Sequence, residues 1–192
     1  MTIQIDLTTS LPSTIYTNDQ LKEVAIKHVV LEGLYLEFGV YKGDSIKKLS
    51  NLTNNTFYGF DSFEGLPEKW RDGSPAGTFK CSPPHHLEEE ANIKLVVGLF
   101  NETLEPFLET HKENVAFVHI DCDLYSSTKY IFDTLESRIK PGTVILFDEL
   151  YHYPEWELHE YKAFVEFLDR TGYKASPIGC DGAERAAFVI GD

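Results

Sequence analysis

Residues 119–125 read HIDCDLY and close an apolar run, VAFVHI, so Asp121 and Asp123 emerge directly from a segment patterned for burial. A carboxylate in that position is costly unless something compensates for it. Three other short apolar runs also carry an acid at or near their ends: Glu37 in LYLEFG (34–39), Asp61 in TFYGFD (56–61) and Asp148 in TVILFD (143–148). Acids repeated at the ends of separate runs point to one shared rim more than to a solvated face. Such a rim suits a cationic or neutral small ligand or a divalent metal. YHYPEW (151–156) follows the Asp148 run and overhangs the same rim. A base there, His152 in particular, could accept a hydroxyl proton, although an aromatic loop packed over the core explains the stretch equally well.

The elements that must position these groups alternate. TNDQLKEVAIKHVVL (17–31) has the pattern of a capped amphipathic helix with Thr17 as N-cap. Strands at 34–39 and 56–61 flank a helix from about Asp44. HHLEEEAN (85–92) reads as helical and leads into the strand IKLVVG (93–98); NETLEPFLETHK reads as a helix. The strand 115–121 precedes a helix over 126–140 that stops at Pro141-Gly142, with Asp123 available to cap it. The strand TVILFD precedes a helix over 155–170. YKASPI and AAFVI then form two strands with no helix between them, which predicts an antiparallel edge. The pattern as a whole predicts one domain over 1–192: a Rossmann-like three-layer α/β/α sandwich around a mostly parallel seven-stranded sheet with an antiparallel C-terminal strand. Residues 1–33 read as an N-terminal helical segment. The Gly-, Pro- and Ser-rich stretch 67–86 is long for a connection and reads as a lid, with a plain surface loop as the competing view. Ligands of such sheets bind beyond the carboxyl ends of the strands.

Within LEFGVYKGDS (36–45) the glycines are spaced G-x-x-x-G. A pyrophosphate cradle needs G-x-G-x-x-G, so a dinucleotide is disfavoured. Glu37 ahead of the turn suits a positively charged ligand such as a sulfonium with its amino group; an ordinary glycine turn with a solvated glutamate is as compatible. Asp61 follows the turn at about the 20-residue offset where an acid receives a ribose hydroxyl pair, while capping by Asp61 and Ser62 is the alternative. Together the two features favour a nucleoside ligand.

LEFGVYKGDSI, FYGFDSFEGLP, VHIDCDLYSST and PGTVILFDEL stand in the order and spacing of class I S-adenosylmethionine-dependent methyltransferases. The second and third stretches resemble the macrocin O-methyltransferase family, which methylates sugar hydroxyls on natural products. The resemblance implies that Glu37, Gly39, Tyr41 and Ser45 shape the methionine end of the cofactor site, that Asp61 holds the ribose with Ser62 near the adenine, and that Gly98, with Leu99 and Phe100 after it, lines the adenine pocket. It implies a divalent metal, Mg²⁺, on Asp121, Asp148 and Glu149. In that last place the family usually has two aspartates, whereas this chain reads DELY. Asp121, also beside the cofactor, and His152 are the two base candidates. The implied acceptor is a sugar or glycoside hydroxyl. A metal-independent methyltransferase, a nicotinamide-dependent oxidoreductase and a non-catalytic binding protein of related fold are the alternatives.

The chain has 192 residues and a formal net charge of −14, which disfavours nucleic acid. No apolar run is long enough for a membrane span, and MTIQIDLTTSLPST lacks a signal-peptide pattern. Three cysteines without C-x-x-C spacing fit a reducing cytoplasm. Self-association is left open. His85 and His86 read as solvated, and His119, within a strand pattern, reads as a core histidine.

Overall fold

The computed structural model describes residues 14–192; the N-terminal stretch read for a signal peptide lies almost entirely outside them. Seven strands form one sheet: β1 (Leu34–Phe38), β2 (Phe57–Asp61), β3 (Ile93–Val97), β4 (Val115–Ile120), β5 (Val144–Phe147), β6 (Lys174–Cys180) and β7 (Ala186–Gly191). Their order is β3-β2-β1-β4-β5-β7-β6. The first five are parallel, and β7 runs antiparallel between β5 and β6. The sandwich expected from the alternating pattern is therefore the one observed. The last two strands pair as the expected antiparallel edge, with the C-terminal strand β7 inserted between β5 and the edge strand β6. Pro177, which cannot donate to a ladder, sits on that edge beside a register shift.

Helices cover both faces. α1 (Asn18–Lys27) and α2 (Asp44–Ser50) pack over one apolar layer that includes Leu21, Ile46, Phe57, Phe117 and Leu146. α3 (Phe100–Thr110), α4 (Tyr125–Leu135) and α5 (Glu160–Thr171) cover the other, where Phe132, Phe147, Phe164 and Phe188 pack together. α1 begins with the expected Thr17 cap, completed by Gln20 as a capping box. No helix of the described residues is long and apolar enough to cross a membrane.

Three local expectations are corrected. Residues 85–92 form only a 3₁₀ turn, His85–Leu87; two prolines precede it, three consecutive glutamates follow, and Leu87 alone is buried, so no apolar face exists to hold a helix. The segment 155–170 is not one helix: Glu155 has φ 65°, a 3₁₀ turn spans Trp156–Leu158, and α5 starts at Glu160. The break lets Glu160 turn inward, where its carboxylate accepts from the Cys122 and Asp123 N–H groups at 3.2 and 3.0 Å. Asp123 does not cap α4; the cap position is Leu124, with no side-chain hydrogen bond.

Gly39 controls how closely β1 and β4 end. Its φ is 91°, and a Cβ there would lie 1.7 Å from the Asp121 carbonyl oxygen. Gly39→Ala thus meets both left-handed strain and a backbone clash. It should cost about 2 kcal/mol or more, seen in calorimetry as a Tm drop of roughly 4–8 °C; an unchanged Tm would contradict the close approach.

Candidate functional site

Parallel pairing places equivalent residues of neighbouring strands on one face, and the side-chain period of two carries that face along each strand. Gly59, Glu37, His119 and Leu146 are in register across β2, β1, β4 and β5. Two residues further on each strand brings Asp61, Gly39, Asp121 and Asp148. The acids therefore share the α1–α2 face at the carboxyl end of the sheet. They wall a cavity of about 630 Å³.

Of the residues read from the sequence, Gly39, Tyr41, Ser45, Asp61, Ser62, Gly98, Asp121, Asp148 and Glu149 line this cavity. Two do not. Glu37 is fully buried behind the wall, accepting from Ser45 Oγ at 2.8 Å and pairing with His119 Nδ1 at 2.9 Å. His152 is exposed, with φ 66° and its ring edge-on to Tyr151. Asp61 uses both oxygens on backbone: Oδ2 accepts from the Val40 and Tyr41 N–H groups at 2.8 Å each, and Oδ1 from Phe63 N–H at 2.7 Å. It ties the glycine turn to the end of β2. The stretch 67–86 folds back on residues 63–66 through hydrogen bonds from Gly77 to Leu66 and from Cys81 to Phe63, and Pro67 and Phe79 reach the cavity.

Several groups enter the site without a clear sequence signal. Asp123 lines the cavity in left-handed backbone, φ 65°, and is buried. Burial pushes its carboxyl up to about 7 despite the opposing Arg71 charge. Lys22 reaches in from α1; burial lowers its ammonium, while Asp148, Glu37 and Asp121 oppose that. Arg185 grips Asp148 with two hydrogen bonds, Nε–Oδ1 2.6 Å and Nη2–Oδ2 2.9 Å. Burial alone would raise Asp148, but the Arg185 fork, with His119 and Lys22 nearby, holds it below the usual carboxylate value. Asp121, Glu149 and Glu160 have no such fork. Burial first, and then the neighbouring acids, raise all three well above their ordinary values.

One Oε of Glu149, one of Glu160, and His119 Nε2 are buried without a hydrogen-bond partner. His119, Asp121 and Asp148 each offer one ligand atom within 4.8 Å of the others. That donor set, bordered by unsatisfied acids, fits a divalent cation. Glu149 stands beside the trio rather than in it. His119 was readable in principle: it lies two positions before Asp121, on the same face of the strand.

A sheet of order β3-β2-β1-β4-β5-β7-β6 with β7 antiparallel, a glycine turn after β1, an acid after β2 and a cavity over the strand ends match the architecture of class I S-adenosylmethionine-dependent methyltransferases. The family model described as a methyltransferase domain matches residues 36–150, and the chain belongs to that family. Among solved structures, the calicheamicin methyltransferase CalS11 superimposes with TM-score 0.78 at 23% identity, over 92% of this chain and 79% of that one. The O-methyltransferase NovP gives 0.66 at 18%, over 91% and 78%. A Bacillus cereus O-methyltransferase in complex with SAH gives 0.53 at 15%, over 96% and 86%. At these identities the likeness carries the fold. No curated protein matches by sequence.

The charge imbalance has a measurable consequence. A carboxyl raised on folding makes the native state bind the extra proton, so stability falls as pH rises from the unfolded value near 4.5 through the folded one. Glu149→Gln removes this cost. With chelator present, its Tm should exceed the parent's by a few degrees at pH 8 and by much less at pH 5. An equal or lower Tm at pH 8 would contradict the raised Glu149.

Proposed function

We propose that the protein transfers a methyl group from S-adenosylmethionine to a hydroxyl of a sugar or another small natural product. The observation that carries this reading is one cavity lined jointly by the glycine turn, Asp61–Ser62, Gly98–Phe100 and the acid rim. The nucleoside end fits between Asp61–Ser62 and Gly98–Phe100, and the methionine end lies along Gly39, Tyr41 and Ser45. Glu37 contributes from behind, through its hydrogen bond with Ser45. When bound, the cofactor supplies an electrophilic methyl on a sulfonium, a charge suited to the acidic wall. Support for the acceptor class comes from the neighbours: CalS11 is a TDP-rhamnose 3'-O-methyltransferase, and NovP an O-methyltransferase.

Asp121 and Asp148 are the proposed hold for a divalent metal, with Glu149 beside them rather than within ligand distance of both; when bound the metal would polarise acceptor oxygens. The proton goes to Asp123. It faces the cavity, its backbone is fixed in the left-handed region, and its N–H is anchored by Glu160. Asp121 is committed to the metal in this reading, and exposed His152 does not reach the cavity lining. Holding acceptor and cofactor in one cavity supplies orientation, the other large contribution. Stretch 67–86 acts as the lid through Pro67 and Phe79. A sparse set of three cysteines without C-x-x-C spacing supports a reducing cytoplasm.

The test is turnover of methyl-labelled S-adenosylmethionine against nucleotide-linked deoxysugars and glycosides, read by mass spectrometry. Label should appear on an acceptor oxygen. Asp123→Asn should lower kcat by about 10²–10⁴-fold with cofactor binding unchanged. Label transfer to nitrogen or carbon would refute the O-methyl reading, and full activity in Asp123→Asn would refute the base.

A further inference from the structure

Behind the cavity wall lies a chain of buried contacts. Ser45 Oγ donates to Glu37 Oε1 at 2.8 Å, and Glu37 Oε2 meets His119 Nδ1 at 2.9 Å. Glu37 and His119 are both completely buried. The far side of the imidazole, Nε2, has no hydrogen-bond partner. A buried ring nitrogen left unpaired costs free energy, so a merely structural histidine here would be poorly satisfied. A histidine whose one nitrogen is oriented by a carboxylate while the other stays open is the arrangement that metal-binding histidines use.

The open nitrogen has company. One ligand atom each of His119, Asp121 and Asp148 falls within 4.8 Å of the others, and Nδ1 is already engaged by Glu37. Metal–ligand bonds of about 2.0–2.2 Å put donors on opposite sides of an ion a little over 4 Å apart, so a small side-chain adjustment closes the set. Arg185 does not exclude Asp148, because each carboxylate oxygen has two lone pairs and Arg185 takes one on each. Lys22 and Arg185 are positive neighbours, but Glu37, Asp123, Glu149 and Glu160 surround the trio with further acids.

We propose that His119 Nε2, oriented by Glu37, joins Asp121 and Asp148 as a nitrogen ligand of the divalent-cation site. This rests on the metal reading above and changes its chemistry. An all-oxygen set suits Mg²⁺, whereas imidazole with two carboxylates favours a first-row transition ion. Glu37 is then a positioning residue for the metal, with Ser45 behind it.

The experiment is Mn²⁺ titration of the purified full chain by calorimetry, with pulsed electron paramagnetic resonance of the Mn²⁺ complex. The expected result is a ¹⁴N coupling of imidazole type in the parent protein, lost in His119→Asn together with at least a tenfold loss of Mn²⁺ affinity. Glu37→Gln should weaken Mn²⁺ by about 10–100-fold. Mn²⁺ binding with no nitrogen coupling would overturn the inference while leaving an all-oxygen metal site standing. No binding of Mn²⁺ or Mg²⁺ would overturn the metal reading as well, and methyl transfer would stand without it. Should His119→Asn fail to fold, the parent spectrum decides alone: coupling supports the nitrogen ligand, its absence refutes it.

Discussion

Negative charge gathered under one edge of a parallel sheet is the constraint on which the site depends. Glu37, Asp121, Asp123, Asp148, Glu149 and Glu160 act on one another in a buried setting, with Lys22, Arg71 and Arg185 as the opposing cations. Only Asp148 has a two-point partner, in Arg185. Glu37 is satisfied on both oxygens, by Ser45 and His119, whereas Asp121, Asp123, Glu149 and Glu160 are driven toward protonation. A fold selected for stability alone would not concentrate acids there, because each buried charge without a partner is expensive. A cationic ligand relieves the cost, and both a sulfonium and a divalent ion would do so. Stability given up at a site is commonly the mark of function.

The same acids also shape the backbone. Asp61 fastens the glycine turn through three N–H groups, and the turn's first glycine lies directly against the Asp121 carbonyl. Movement of the turn is thereby linked to the ends of β2 and β4. Glu160 extends the linkage from the far side of the sheet by holding the Cys122 and Asp123 N–H groups. One connected rim thus carries the acids proposed for the nucleoside, for the cation and for the acceptor proton.

Much of this was legible in the sequence because it depends on periodicity. Apolar runs ending in acids located β1, β2, β4 and β5 and their rim, and the Thr17 cap located α1. What escaped depends on tertiary partners. Asp123 looked like a helix cap because nothing local reveals left-handed backbone. His119 looked like core because its open nitrogen is defined by Glu37 on another strand. Glu160 read as one more residue of an amphipathic helix, and its inward turn is set by amides 37 and 38 positions away. Lys22 and Arg185 come from opposite ends of the chain and meet the acids only in the fold. Residues 85–92 misled because good helix formers cannot hold a helix without an apolar face to bury.

The central claim is that this cavity is built for S-adenosylmethionine, and calorimetric titration tests it most directly. The account predicts saturable 1:1 binding of S-adenosylmethionine and its demethylated product, no binding of NAD, and a loss of at least tenfold in affinity for Asp61→Ala, which frees the glycine turn. Heat from NAD alone, or from none of the three, would contradict it.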